Sequence, residues 1–181
     1  MIRDITAAFA APAVALIAIG VSAALASGMK DTAYPYGETV GMLSAEGARA
    51  HAQTVFDRAD LDSSGALDAD EYASLAIVTA ELSRLNGFIA IETGGDNANI
   101  VSLPIAAPSA LSGGERARVE AVARAEFYAL AGDDASLSAD EYLGEQAARF
   151  AAADRNRNGA LAKAELTSFA VREAKLAGSD A

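Results

Sequence analysis

The sequence predicts an all-α protein built from helix-loop-helix units in two small lobes. Apolar residues recur at helical spacing in five stretches of the 181-residue chain. Oxygen-rich twelve-residue loops join such stretches at two places, and one helix-and-loop pattern occurs twice.

The chain opens with Met1–Asp4, which carries Arg3, followed by a nearly unbroken apolar run from Ile5 to Ala26. That run ends in Ala24-Leu25-Ala26, the small-x-small pattern a signal peptidase accepts, so residues 1–26 read as a secretory signal cleaved before Ser27. At about twenty residues the run is also long enough for an uncleaved membrane anchor. A buried soluble helix is the third reading, although the run shows no separate polar and apolar faces. Residues 27–42, with Gly28, Pro35, Gly37 and Gly41, read as a flexible lead-in.

The first helix follows Ser44 as cap and places Ala48, Ala52, Val55, Phe56 and Ala59 on one side. The second carries Tyr72, Leu75, Thr79 and Leu82 at helical spacing, widened by Val78 and Leu85, and ends near Gly87. Asp68 and Glu71 have the form of a capping box at its start. Within 86–108, residues 93–99 are turn-like, Ile100-Val101-Ser102-Leu103 suits a short strand, and Pro104 and Pro108 divide the chain. A third helix starts at Ser112 with Glu115 completing its box and presents Val119, Val122, Ala123, Phe127 and Leu130. A fourth, from about 139 to 153, has Ser138 and Glu141 as its box and Tyr142, Gln146, Ala147 and Phe150 near one face. The last, about 162–176, groups Leu166, Phe169, Ala170 and Glu173.

Leu43-Ser44, a helix, an acidic loop and Asp-Glu-Tyr are echoed by Leu111-Ser112, a helix and a second Asp-Glu-Tyr at 140–142. This duplication sets the expected lobes at 43–104 and 111–177. The chain is 52% apolar, but alanine inflates that share, so the cores must rest on Phe56, Tyr72, Phe127, Phe150 and Phe169.

A net charge of -11 repels nucleic acid and anionic lipid and makes cations the natural partners. The absence of cysteine excludes disulfides, thiolate metal sites and a cysteine nucleophile. His51, the only histidine, sits mid-helix and reads as a surface or edge residue, leaving no serine or threonine with a His/Asp relay. Gly94-Gly95 and Gly113-Gly114 lack the lysine and strand-helix setting of a phosphate loop. An enzyme is therefore not expected.

The loop Asp60–Glu71 offers oxygen at every position a twelve-residue calcium loop needs. Asp60, Asp62 and Ser64 alternate toward one centre, and Gly65 permits the reversal that turns the Ala66 carbonyl inward. Leu67 faces the core, Asp68 reaches the metal directly or through water, and Glu71 supplies both carboxylate oxygens. Calcium suits this donor set because it accepts six to eight hard oxygens in a flexible shell, whereas zinc prefers nitrogen or sulfur. The loop Asp154–Glu165 offers Asp154, Asn156, Asn158, the Ala160 carbonyl and Glu165, with Gly159 at the reversal. Ala162 leaves its position to water, and Arg155, Arg157 and Lys163 oppose a cation, so weaker binding is expected there.

Both loops resemble those of the EF-hand family, over roughly Leu43 to Lys175, and the layout looks like the small secreted bacterial members. The resemblance implies Ca2+ as the bound ion and loops paired across a short two-stranded contact at Leu67 and Leu161. Each full loop needs a partner to cover its strand edge. Residues 131–141 keep Leu137 and Glu141 but lack an acidic opening residue and the central glycine. Leu137 lies 24 residues before Leu161, so one helix must leave the degenerate loop and enter the full one. Ile100, 33 residues after Leu67, is the expected strand partner of the first loop.

The expected role is calcium binding by a secreted or periplasmic protein, as a buffer or calcium-stabilised module. The alternative is a sensor that exposes an apolar surface to a protein partner; Met1, Met29 and Met42 are the only methionines and none falls in an expected core, which favours the first role. A cell-envelope protein is compatible as partner with either, and membrane contact requires an uncleaved segment at 5–26.

Overall fold

The computed structural model describes residues 38–93, 99–105 and 107–175. These belong to one compact unit. Residues 1–26, with the expected signal or anchor, and most of the lead-in lie outside them. Among the described residues no helix is long and apolar enough to cross a membrane.

The fold is predominantly helical, with short strands between the helical segments. In chain order it runs β1 (Glu38–Thr39), β2 (Met42–Ser44), α1 (Ala45–Ala59), β3 (Ala66–Leu67) and α2 (Ala69–Asn86). Then come β4 (Phe88–Ile91), β5 (Asn99–Ser102), α3 (Gly113–Ala131), β6 (Leu137–Ser138), α4 (Ala139–Ala153), β7 (Ala160–Ala162) and α5 (Ala164–Glu173). Helices α1 to α4 start where the sequence places caps. Ser44 Oγ accepts the Gly47 N–H, and full capping boxes open α2 (Asp68/Glu71), α3 (Ser112/Glu115) and α4 (Ser138/Glu141). Gly87 ends α2 at φ 75°, a left-handed conformation that costs glycine little.

Strand pairing departs from expectation. Leu67 of β3 pairs with Leu137 of β6, so the degenerate loop is the partner of the first full loop. Leu161 of β7 pairs with Leu43 of β2, the strand that precedes α1. Ile100 instead sits in β5, between β4 (antiparallel) and β1 (parallel), in a three-stranded sheet. Both loop pairs therefore run between the segments 43–104 and 111–177, and neither closes within one of them. The physical reason is spacing. Leu-Ser followed by a 15-residue helix leads into each full loop, at Leu43-Ser44 and α1 and again at Leu137-Ser138 and α4. Two such units related head to tail pair the first strand of each with the loop strand of the other.

Two core clusters result. One contains Phe56, Leu67, Tyr72, Phe127, Leu137 and Tyr142 beneath the first loop pair. The other contains Leu43, Ile91, Val101, Phe150, Leu161 and Phe169 beneath the second pair and the sheet. Helices α1 and α4 pack on each other and serve both clusters, Phe56 and Tyr142 pointing to the first, Ala48 and Phe150 to the second.

The buried face of α2 is the expected one only in part, at Tyr72 and at Leu75, which packs against the first cluster. Tyr72, Ala73, Ala76, Ala80 and Ser83 face inward, while Val78, Leu82 and Leu85 are 54%, 53% and 44% exposed. Small side chains let α2 and α3 approach closely, so alanine wins the interior over larger neighbours. The same happens on α3, where Ala123, Phe127 and Ala131 are buried and Val122 is exposed.

Candidate metal centre

Helix α1 delivers Asp60 to the first loop as its C-cap, the Asp60 N–H donating to the Phe56 carbonyl at 3.0 Å. The loop is then drawn around that carboxylate. Oδ1 accepts the Ser64 N–H and Oδ2 the Gly65 N–H, each at 2.9 Å, while Asp62 Oδ1 accepts the Ser64 N–H at 3.0 Å. Ser63 and Gly65 take positive φ values of 58° and 85°, which makes the reversal. Ser64 Oγ donates to the Ala66 carbonyl at 2.8 Å, so the expected ligand oxygens of these two residues lie side by side. Glu71, from the first turn of α2, reaches back across the loop. Its Oε1 accepts the Leu61 N–H at 2.8 Å and its Oε2 the Asp68 N–H at 3.0 Å.

Carboxylate oxygens of Asp60, Asp62 and Glu71 lie within 4.8 Å of one another. Two oxygens bound to one calcium at 2.3–2.6 Å can be no more than about 5 Å apart, so the triad fits the ion. Asp68 caps α2 as the sequence predicts: its Oδ1 accepts the Asp70 and Glu71 N–H groups, each at 2.8 Å, which leaves Oδ2 for the metal or a water. Hydrogen bonds from Ser64 hold the Asp62 carboxyl below its ordinary value, keeping it ionised.

The second loop repeats this construction. Asp154 caps α4, its Oδ1 accepts the Asn158 N–H at 3.1 Å and its Oδ2 the Gly159 N–H at 2.9 Å. Asn156 Oδ1 accepts the Asn158 N–H at 3.0 Å, and Arg157 and Gly159 take φ 58° and 77°. Asn158 Oδ1 accepts the Ala160 N–H at 2.9 Å, and Glu165 Oε1 accepts the Arg155 N–H at 3.1 Å. Only two of its donors are carboxylates, and α5 has Lys163 at its N-cap position with no side-chain cap. The Ala45 N–H donates to the Gly159 carbonyl at 3.1 Å, fastening α1 to this loop.

The degenerate loop differs. Residues Gly132–Asp134 form a single 3-10 turn, and Glu141 Oε2 is held by the Ser138 N–H and hydroxyl at 2.9 and 2.7 Å. No described hydrogen bond carries Glu141 to the start of its loop as Glu71 reaches Leu61. The acidic and amide residues at 94–98 lie outside the described residues. His51 is partly buried; its Nδ1 accepts the Glu92 N–H at 3.1 Å, and burial lowers its pKa, so it supports the sheet and stays neutral.

Sequence reasoning missed a polar network between the helices. Arg149, 9% exposed, donates to Glu145 at 2.8 Å and lies 3.6 Å from Glu126 and 3.9 Å from Glu173. Tyr72, the residue after Glu71, donates to Glu126 at 3.2 Å, and burial pushes its phenol up to about 12. The only hint in sequence was Glu173 falling on the apolar side of α5.

Residues 52–76, spanning the end of α1, the first loop and the start of α2, match the EF hand family model. No curated protein and no solved structure gave a match. The chain thus holds one EF-hand-like motif that coincides with the acidic triad, in a helical fold that carries exposed apolar side chains.

Proposed function

We propose that this protein binds calcium at Asp60, Asp62, Ser64, Ala66 and Glu71, with Asp68 assisting, and that the ion controls an apolar surface offered to a protein partner. The observation that carries this reading is the position of Glu71. It closes the acidic triad and also opens α2, whose outward side bears Val78, Leu82 and Leu85. Calcium that draws Glu71 into its shell acts on the helix carrying that surface. The second loop, with Asp154, Asn156, Asn158, Ala160 and Glu165, is a weaker site of the same kind, supported by its matching hydrogen bonds and φ values. The role is non-enzymatic.

A hydrophobic dye tests the partner-offering role. Its fluorescence should rise on adding calcium, and Leu82→Ser should reduce the rise. Dye binding indifferent to calcium, beside a raised melting temperature, would overturn this role in favour of a calcium-stabilised module or buffer. One observation favours that second reading: the loop hydrogen bonds are already in place around both centres, so binding need not rearrange the backbone.

The apolar run Ile5–Ala26 and its small-residue ending support secretion or periplasmic residence, as in the secreted bacterial EF-hand proteins the sequence resembles. A mature N-terminus at Ser27, read by mass, is the expected outcome; an intact chain in the membrane fraction would establish the anchor.

A further inference from the structure

Acidic residues outnumber basic ones 25 to 14, so a cation in this protein readily finds a carboxylate. Arg58, Arg84, Arg116, Arg124, Arg149 and Lys175 all form ion pairs. Among the described residues the side chains of Arg49, Arg118, Arg155, Arg157, Lys163 and Arg172 form none, and four of these six, Arg155, Arg157, Lys163 and Arg172, lie on the second loop or on the helix that leaves it. The two loops consequently carry opposite fields. The first holds five carboxylates and no cation, whereas the second sets Arg155, Arg157 and Lys163 against Asp154 and Glu165.

Arg155 and Arg172 open onto a shallow cleft between the end of α4 and α5, lined also by Ser168, Phe169 and Glu165. Arg149 borders it, but its charge is met by Glu126 and Glu145. Two arginines without ion-pair partners therefore line one small cleft beside the exposed Ser168. A compact anion there would receive charge-assisted hydrogen bonds from both and relieve their mutual repulsion. Donors that reach it from the loop on one side and from α5 on the other suit a tetrahedral oxyanion, whose oxygens point in several directions, better than a planar carboxylate.

Glu165 links this cleft to the metal. Glu165 lines the cleft and is also the proposed closing ligand of the second loop, where its Oε1 accepts the Arg155 N–H. With calcium bound, that negative charge is shared with the ion, and the field the arginines present to the cleft rises.

We propose that this cleft binds one phosphate or sulfate group and that calcium in the second loop strengthens the binding. The anion site stands on the arginines themselves, while the calcium dependence rests on the proposed second metal site.

The test is a sulfate titration of the full chain in calcium, with chloride at equal ionic strength as control, followed by magnetic resonance of the Ser168 amide and the arginine Nε–H groups. Sulfate should shift Ser168, Arg155 and Arg172 along saturating curves. Arg155→Ala or Arg172→Ala, each removing a charge-assisted hydrogen bond from an exposed side chain, should weaken binding by about tenfold. Arg118→Ala, an exposed arginine far along the chain, should not. Shifts that affect Arg49 and Arg118 as strongly, or affinities unchanged in both cleft variants, would overturn the site. Removing calcium should weaken sulfate binding, and by linkage sulfate should strengthen calcium binding. Sulfate binding indifferent to calcium would overturn the gating alone. Calcium calorimetry on Glu165→Gln separately establishes whether the second loop holds the ion. Vesicles of phosphatidylglycerol, set beside phosphatidylcholine, identify the source. Cosedimentation reversed by sulfate would assign a lipid headgroup, and sulfate binding without cosedimentation a free anion; either result upholds the site.

Discussion

Truncating Leu137 to alanine removes a side chain that the structure pairs with the Asp60–Glu71 loop, although it lies in another loop far along the sequence. Leu137 is fully buried and faces Leu67 across the β3–β6 pair. Deleting a buried leucine side chain costs about 2–5 kcal/mol, the transfer term plus a cavity that neighbours such as Phe127 and Tyr142 fill only in part. For a chain of this size that corresponds to a melting temperature lower by roughly 5–15 °C. The same pair positions the Ala66 carbonyl, so calcium affinity at the first loop should fall more than at the second. Urea denaturation measures the first effect. Calorimetric calcium titration measures the second, in Glu165→Gln and Glu71→Gln backgrounds that leave one full loop each. Leu43→Ala should show the reverse preference, because Leu43 faces Leu161. A Leu137→Ala protein that loses less than about 1 kcal/mol, or that weakens only the second loop, would refute the crossed pairing.

Gly65→Ala should destabilise the protein by about 1–2 kcal/mol in denaturation and weaken calcium at the first loop, since φ 85° is strained for any residue with a Cβ. Ser112→Ala should cost about 1 kcal/mol by the same assay, because it breaks the capping box in which Ser112 Oγ accepts the Glu115 N–H at 3.3 Å. Burial pushes the Glu173 carboxyl above its ordinary value, so the folded state holds that proton more tightly than the unfolded chain. Its contribution is complete below the unfolded value and is lost as pH rises through the raised one. Stability curves of wild type and Glu173→Gln, measured from mildly acid to neutral pH, should therefore diverge in favour of the variant as pH rises; parallel curves would contradict the shift.

The parts of this fold that local chemistry determines were legible in sequence. Ser44, Asp68, Ser112 and Ser138 cap helices as their spacing with the following residues requires, and the alternation from Asp60 to Glu71 announces the acidic triad of Asp60, Asp62 and Glu71 without reference to the rest of the chain. Partner choice was not legible in the same way. Leu67 can pair with any exposed strand edge, and only packing decides that the edge is Leu137 and not Ile100. A signal was present in the equal run from Leu43-Ser44 to Asp60 and from Leu137-Ser138 to Asp154, but the more conspicuous echo at Leu111-Ser112 pointed elsewhere. The orientation of α2 failed for a different reason. Hydrophobic periodicity weighs leucine above alanine, whereas a closely approached helix surface selects for small size, turning Ala76 and Ala80 inward and Leu82 outward. Buried ion pairs such as Arg149 with Glu173 join different helices, and no local pattern announces them.

Calcium titration of the wild-type chain beside Glu71→Gln tests the central claim most directly. The closing Glu71 reaches both Leu61 and Asp68 across the loop, and on the proposed reading it supplies two of the oxygens of the first site. The wild type should bind with a tighter phase in the range of about 10–1000 micromolar, and the variant should lose that phase while keeping the weaker one. Identical isotherms for the two proteins, or no heat from either at millimolar calcium, would contradict a calcium site at Asp60, Asp62 and Glu71.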